Sequence, residues 1–518
     1  MYKKPTESDQ LVFKFYLPFG GKLDPKNRWV VLSSRIPWGY VEEVYQETLS
    51  GSDKGCPALS GRTAFGALVI KERLGTSDRE TVAQVRENPY LQYFLGLKKY
   101  SYEAPFDDSM MTHFRKRLTK EILQEINERI VSGVCASEED HSDDSISPPS
   151  SSGSNQDGET RENKGKLIID ATCTPADITY PTDLKLLNES REKTEEIIDI
   201  IHEPDIGEKR KPRTYRKRAH KEYIALAKQR QPGIKKLRKG IRKQLGYIKR
   251  NLKTIDTYAR TGRLELLSRR LYRLLLVIHE VYRQQQWMYD NRSHRMPDRI
   301  VNLHQPHVRP IVRGKAGTPV EFGAKISVSL VDGFSHVDRL GWNPYNESKD
   351  FIPQVEAYKR RYGCYPEAVQ TDKIYRTRAN RKYCRKHGIR LSGPPLGRPP
   401  KETEANKEKL KALRDQQQQD ERERQAIEGK FGQGKRRFTL SRIMAKLAET
   451  SEAVIMVSFI VMNLEKILRD FLLSLFSLRD MSVLWLRNAL NQCRGGEFCW
   501  PNRFGRFHVG SEKICGAA

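Results

Sequence analysis

Residues 402–430 contain no proline, and no glycine before Gly429. Their Glu, Lys, Gln, Arg and Ala residues are strong helix formers, so the stretch reads as a long polar helix about which the other elements must be arranged. At about 100° per residue, Arg424, Glu428 and Lys435 fall in one narrow arc. A carboxylate on that face has one cation a turn before it and another two turns after it, with Arg436 beside the second. Charged faces of this kind are usually solvated. Gly429, Gly432 and Gly434 weaken a helix but let another backbone approach closely. A glycine-spaced basic face around one carboxylate suits a phosphate backbone lying across a metal-binding acid.

The 518 residues allow two to four domains, and the net charge of +28 favours a polyanionic partner through counterion release. A membrane surface is the other common polyanion. No run reaches the roughly 18 apolar residues that span a bilayer, and the N-terminal MYKKPTESDQ lacks a signal-peptide core. The eight scattered cysteines read as reduced thiols, so a membrane partner and a disulfide framework are both set aside.

Residues 1–135 predict a compact helical domain, for which a plain bundle and a helix-turn-helix-type DNA binder both fit; the charge favours the second. Ser77 and Asp78 are capping candidates for one of its helices. Residues 136–165 are acidic, serine-rich and almost without apolar side chains, the composition of a disordered linker. KLIID (166–170) predicts a buried strand with Asp170 at its carboxyl end, where open α/β sheets meet their ligands. Residues 184–298 read as a helical insertion. Within it, residues 209–253 hold 19 Lys and Arg against one acid, Glu222, a block for which nucleic-acid phosphate is the natural counter-charge. Its apolar stripe of Leu264, Leu267, Leu271, Leu274 and Ile278 reads as core.

VRPIVR (308–313) and VEFGAKISVSLV (320–331) predict a hairpin; Asp332, which ends its second strand before Gly333, is the main competitor for a catalytic place, while Asp-Gly is also a common turn pair. A helix over 348–362, a strand EAVQTD (367–372), a basic helix over 377–386 and a short strand over 389–391 follow. Residues 441–476 read as an apolar helix with Asn463 and Glu465 on a polar flank, and 477–518 as an irregular tail. The spacing of Cys493, Cys499, His508 and Cys515 fits no standard zinc site.

Asp170 and Asp372 at neighbouring strand ends, with Glu428 from a helix packed across them, suit one task. Three carboxylates of this kind can hold two Mg²⁺ ions, for which Mn²⁺ can substitute. Such ions activate a water or a 3′-hydroxyl and stabilise the leaving oxygen. Arg424, Lys435, Arg436 and Lys373, which adjoins Asp372, would hold phosphates beside them.

These residues resemble the catalytic domain of DDE transposases from bacterial insertion sequences, in local sequence the IS-four/IS-five-type group. LIIDAT carries the first acid and VQTDKIY (369–375) the second. Arg424, Glu428 and Lys435 are spaced like the last three members of that group's Tyr–Arg–Glu–Lys signature, whereas the tyrosine position is Glu421 here. The run from Arg299 to Phe334 resembles the group's strands. LGTSDRETVAQVRENPYLQYFLGL with PFDDSMMTHFRKRL resembles its N-terminal DNA-binding domain.

The resemblance implies an α/β fold: an RNase H-like mixed sheet with flanking helices, a helical insertion after the first strand (184–298) and an all-α N-terminal domain. On this reading 166–476 is the catalytic domain. The implied activity is hydrolysis at transposon ends followed by attack of the freed 3′-hydroxyl on target DNA. The implied partners are terminal inverted repeats, target DNA and further copies of the chain in a dimer or larger synaptic complex, in the bacterial cytoplasm at the nucleoid. A nuclease of the same fold without strand transfer, and an inactive relic that only binds DNA, remain alternatives. A basic RNA-binding protein is the remotest of them, since no signature for one is present.

Overall fold

The computed structural model describes residues 17, 21–49, 57–139, 162–208, 210–312, 320–394, 397 and 403–492. Residues 1–466 form one unit and 467–518 a second. The first unit begins with helices α1 (Arg28–Arg35), α2 (Trp38–Glu47), α3 (Gly61–Leu74), α4 (Asp78–Glu87), α5 (Pro89–Phe94), α6 (Met110–Arg117) and α7 (Lys120–Glu139). The predicted cap is present: the Ser77 side chain accepts a bond from the Glu80 amide, with Asp78 and Glu80 in the first turn of α4. Helix α3 is the hub of this region, with Phe65, Ala67, Leu68, Val69 and Ile70 all buried. It ends at Gly75, whose φ of 68° is the left-handed value that favours glycine at this position.

A six-stranded mixed sheet follows, made of β1 (Lys166–Pro175), β2 (Arg309–Val312), β3 (Val320–Val331), β4 (Phe334–Gly341), β5 (Ala368–Thr371) and β6 (Arg390–Leu391). Strand β1 is central. It pairs antiparallel with β3 on one side and parallel with β5 on the other, and β6 continues parallel beyond β5. The far edge of β3 carries β2 along its first residues and β4 along the rest. The predicted hairpin of β2 and β3 is present. Strand β4 departs from the sequence reading: Asp332 and Gly333 have φ of 48° and 79° and form a two-residue turn that sends the chain straight back along β3.

Between β1 and β2 lie α8 (Asp183–His202), α9 (Arg216–Ala227), α10 (Ile234–Ala259) and α11 (Arg269–Asp290). They share an apolar core that includes Ile197, Ile201, Ile248, Leu252 and Ile255. Leu267, Leu274 and Ile278 are buried in it and Leu264 and Leu271 pack against it, as the stripe predicted. After β4 come α12 (Phe351–Tyr362), α13 (Arg378–Lys386), α14 (Glu404–Arg437) and α15 (Ala448–Gln492). One face of the sheet is covered by α12, where Leu167, Ile169 and Val369 meet Phe351, Val355 and Tyr358.

Several expectations are corrected. β1 continues five residues beyond Asp170, because β3 goes on pairing with it as far as Pro175. Asn463 is not on a polar flank. It is buried, its Oδ1 accepts from the Ser335 amide and hydroxyl (both 2.9 Å), and its Nδ2 donates to Asn127 Oδ1 and Ser335 O (both 2.8 Å). Glu465 pairs with Arg73 of α3 at 2.5 Å and with Arg437 at 3.1 Å. Residues 136–139 are helical rather than linker, and 477–492 continue α15 rather than starting an irregular tail. The rest of the expected linker through residue 161, and the four zinc candidates, lie outside the described residues.

Candidate active site

The last parallel pair between β1 and β5 is Ile169 with Thr371, so Asp170 and Asp372 are the next residues on two adjacent strands. Side chains alternate along a strand, and in-register residues of parallel neighbours point the same way. Ile169 and Val369 face α12. By alternation, Ile168, Asp170, Gln370 and Asp372 face the other layer, which is α14. Each aspartate carboxylate accepts a bond from the following amide: Asp170 from Ala171 (2.8 Å) and Asp372 from Lys373 (2.6 Å).

Helix α14 is fastened across the three parallel strands by polar side chains. Lys166 of β1 bonds Glu423 at 2.8 Å, Gln370 of β5 bonds both Glu423 and Asp420, and Arg390 of β6 makes a bidentate pair with the buried Asp420 at 2.5 and 2.9 Å. The Lys166 ammonium holds the Glu423 carboxyl down at a pKa of about 2. Ile427 and Phe431 are the apolar seal of the same helix.

Just beyond this clamp lies the predicted charged face. The helix is continuous through its glycines to Arg437, so Arg424, Glu428 and Lys435 share an arc as expected. Arg424 is mostly covered. Its guanidinium meets Glu421 at 2.8 Å and Glu428 at 3.2 Å, and the charges of Glu421, Glu428 and Asp170 add to keep it protonated. The residue in the signature's tyrosine position, Glu421, is thus an ion-pair partner of Arg424 and holds its own carboxyl below the usual range by that bond. Burial pushes the Asp170 carboxyl up to a pKa of about 6; the Ala171 amide and Arg424 oppose this, while Glu347 and Asp372 reinforce it. Glu347, salt-bridged to Lys325 at 2.8 Å, is a neighbouring acid that sequence reasoning missed. Nothing in its local sequence, NESKD, separates it from a loop residue.

The glycines divide. A Cβ on Gly434 would meet Leu440 Cδ1 at 2.5 Å, so this glycine serves the chain's own packing. Gly429 faces open space and Gly432 lies beside the Arg436 guanidinium. Lys435 is half-buried and Arg436 exposed, on the turn after Phe431.

Asp170, Asp372 and Glu428 offer carboxylate oxygens, the donors that hard divalent cations take. Their chemistry fits Mg²⁺ or Mn²⁺. Among the described residues no three Asp, Glu, His or Cys side chains stand at ion-holding separation, and Glu428 is engaged by Arg424 instead. The structure therefore places Asp170 and Asp372 at adjacent in-register positions, and Arg424 pairs with Glu428 while sensing the charge of Asp170. It does not draw the three carboxylates into one finished pocket.

Two family models match the chain: a transposase DDE domain over residues 369–465, and a transposase domain (DUF772) over residues 18–117. The first spans Asp372, Arg424, Glu428 and Lys435, whereas Asp170 lies outside both. The chain belongs to the DDE transposases of bacterial insertion sequences. It is similar to the uncharacterized protein ORF8 in the nfe locus of Rhizobium meliloti, at 30% identity over 165 residues, covering 32% of this chain and 69% of that one. No solved structure matches the chain. No helix among the described residues is long and apolar enough to cross a membrane.

Proposed function

We propose that this transposase cuts one DNA strand at each transposon end by hydrolysis and then joins the freed 3′-hydroxyl to target DNA, using Asp170, Asp372 and Glu428. The observation that carries the reading is the in-register pair of aspartates, one residue past the last parallel rung, beneath the helix that holds Glu428. The strand order also supports an RNase H-like sheet: three antiparallel strands β4, β3 and β1, then parallel β5 and β6.

Two divalent ions bound by the three carboxylates would supply the activated water or 3′-hydroxyl and stabilise the leaving oxygen. Arg424 holds the phosphate next to the scissile bond and gives up its contact with Glu428 as it does so. Lys373, Lys435 and Arg436 carry the backbone on either side. In this scheme residues 1–135 read the terminal inverted repeats, 136–165 link them to the catalytic domain of 166–476, and a dimer or larger assembly holds two ends together.

The test uses Asp170→Asn, Asp372→Asn and Glu428→Gln on duplexes bearing a transposon end. Each variant should lose nicking while retaining end binding, and cleavage at the wild-type rate by any of them refutes that residue's role. Pre-cleaved ends then separate the activities, since a hydrolase without joining activity yields no strand-transfer product.

A further inference from the structure

Helix α10 carries its cations on one side. Lys235, Arg238, Lys239, Arg242 and Lys243 recur at the helical spacings of three and four residues, and Lys249 and Lys253 continue the same stripe. The opposite side is the buried one, with Leu245, Ile248, Leu252 and Ile255 in the core of the insertion. At about 1.5 Å per residue the stripe from Lys235 to Lys253 is roughly 27 Å long, most of one turn of duplex.

The first five cations and Tyr289 of α11 line a cavity of about 410 Å³. Arg238 is fixed in its wall, stacked 4.0 Å from the Tyr289 ring centre and bonded to the Tyr289 carbonyl at 2.8 Å. The one acid of the basic block is already committed. Glu222 meets Lys243 at 2.8 Å, Arg218 at 3.4 Å and the Tyr247 hydroxyl at 3.1 Å. Lys235, Lys239 and Arg242 make no ion pair among the described residues. The stripe thus repeats like charges four residues apart, at 235 and 239, 238 and 242, and 239 and 243. Each such pair destabilises the helix, a cost that a polyanion offsets.

We propose that this stripe binds the phosphate backbone of double-stranded DNA, without regard to sequence, at a surface separate from the carboxylate site. The side chains choose duplex over single strand. Single-strand platforms offer open aromatic faces to unstacked bases. Along the stripe, Tyr289 is covered by Arg238 and Tyr247 is buried. Lysine and arginine reaching phosphates position a duplex and carry no base code. The inference adds a second DNA surface to the proposed reaction and does not depend on the carboxylates being catalytic.

The test is fluorescence anisotropy of the full chain, in chelator so that nothing is cut, with a scrambled duplex of roughly three helical turns. A Lys235→Gln, Lys239→Gln, Arg242→Gln triple variant should bind about tenfold or more weakly. Its plot of log affinity against log salt should be shallower by about 2 to 3, near 0.9 for each phosphate no longer neutralised. The control, Lys407→Gln, Lys409→Gln, Lys411→Gln, removes equal charge from exposed positions of α14. Equal losses in both triples assign the effect to net charge and overturn the proposal. So does unchanged binding by the first triple with its melting curve intact. Tighter binding of duplex RNA or single-stranded DNA than of duplex DNA, with the same residue dependence, overturns the choice of ligand. Since cleavage is never read, failure here leaves the carboxylate assignment standing, and failure of the aspartate variants leaves this one.

Discussion

Asn463 joins three parts of the molecule: α15, the start of β4, and α7 of the N-terminal helices through Asn127. Replacing it by leucine, which is close in size, removes four hydrogen bonds at a site with no access to water. Ser335 O keeps its bond from Asn127 Nδ2 at 3.2 Å, but the Ser335 amide, the Ser335 hydroxyl and Asn127 Oδ1 lose theirs. Each buried polar group left unpaired costs about 1–3 kcal/mol, so Asn463→Leu, which leaves three, should destabilise the chain by roughly 3–9 kcal/mol. That is a large share of the roughly 5–15 kcal/mol that holds an ordinary protein folded. Urea titration followed by circular dichroism reads it as a fall in midpoint. The pair Asn127→Leu and Asn463→Leu should cost less together than the sum of the singles, because Asn127 Oδ1 is orphaned only when Asn127 remains. Coupling of about 0.5–3 kcal/mol is expected. A destabilisation below about 0.5 kcal/mol for Asn463→Leu, or strict additivity, refutes the argument.

Other outcomes follow from single residues. Gly434→Ala should destabilise by about 1–3 kcal/mol through its clash with the buried Leu440, whereas Gly429→Ala, which meets open space, should stabilise α14 by up to about 1 kcal/mol; paired melting curves compare them. Arg390→Ala leaves the Asp420 carboxylate buried without its cation, which should cost about 3–5 kcal/mol and reduce cleavage as α14 comes off the sheet, measured by urea midpoint and by nicking rate. His336 is buried, and desolvation with Arg361 nearby takes it down to a pKa of about 3, against about 6.5 unfolded. Between these values the unfolded chain binds one more proton there, so stability falls as pH drops from about 6.5 towards 3, by up to ~1.4 kcal/mol per pH unit. His336→Phe should flatten that part of the stability profile, and an unchanged slope excludes His336 as its source.

Much of the frame is legible in the sequence because its signals are local. Asp170 ends the apolar run of KLIID and Asp372 the short strand EAVQTD, and the spacing of Arg424, Glu428 and Lys435 needs only an unbroken helix. What escapes a sequence reading depends on pairing. The sequence FSHVDRLG, which forms β4, has little apolar alternation, and its strand character comes from the hydrogen bonds of β3 and the Asp332-Gly333 turn. That turn pair is visible in the sequence, whereas the return strand after it is not. Strand β1 runs on past Asp170 because β3 is long enough to keep pairing with it. Asn463 reads as a polar flank until its partners, Asn127 and Ser335, are seen to come from distant parts of the chain. Glu347 and the Arg390–Asp420 anchor are likewise of tertiary origin.

The rung between Ile169 and Thr371 closes over about two hundred residues of intervening chain. A nascent polypeptide leaving the ribosome therefore exposes its first aspartate long before the second has been synthesised. Pairings of such high sequence separation form late. The pair of aspartates on which the proposed function rests is thus withheld from the newborn molecule until the insertion and hairpin strands are finished, so products bearing only the amino-terminal half lack it.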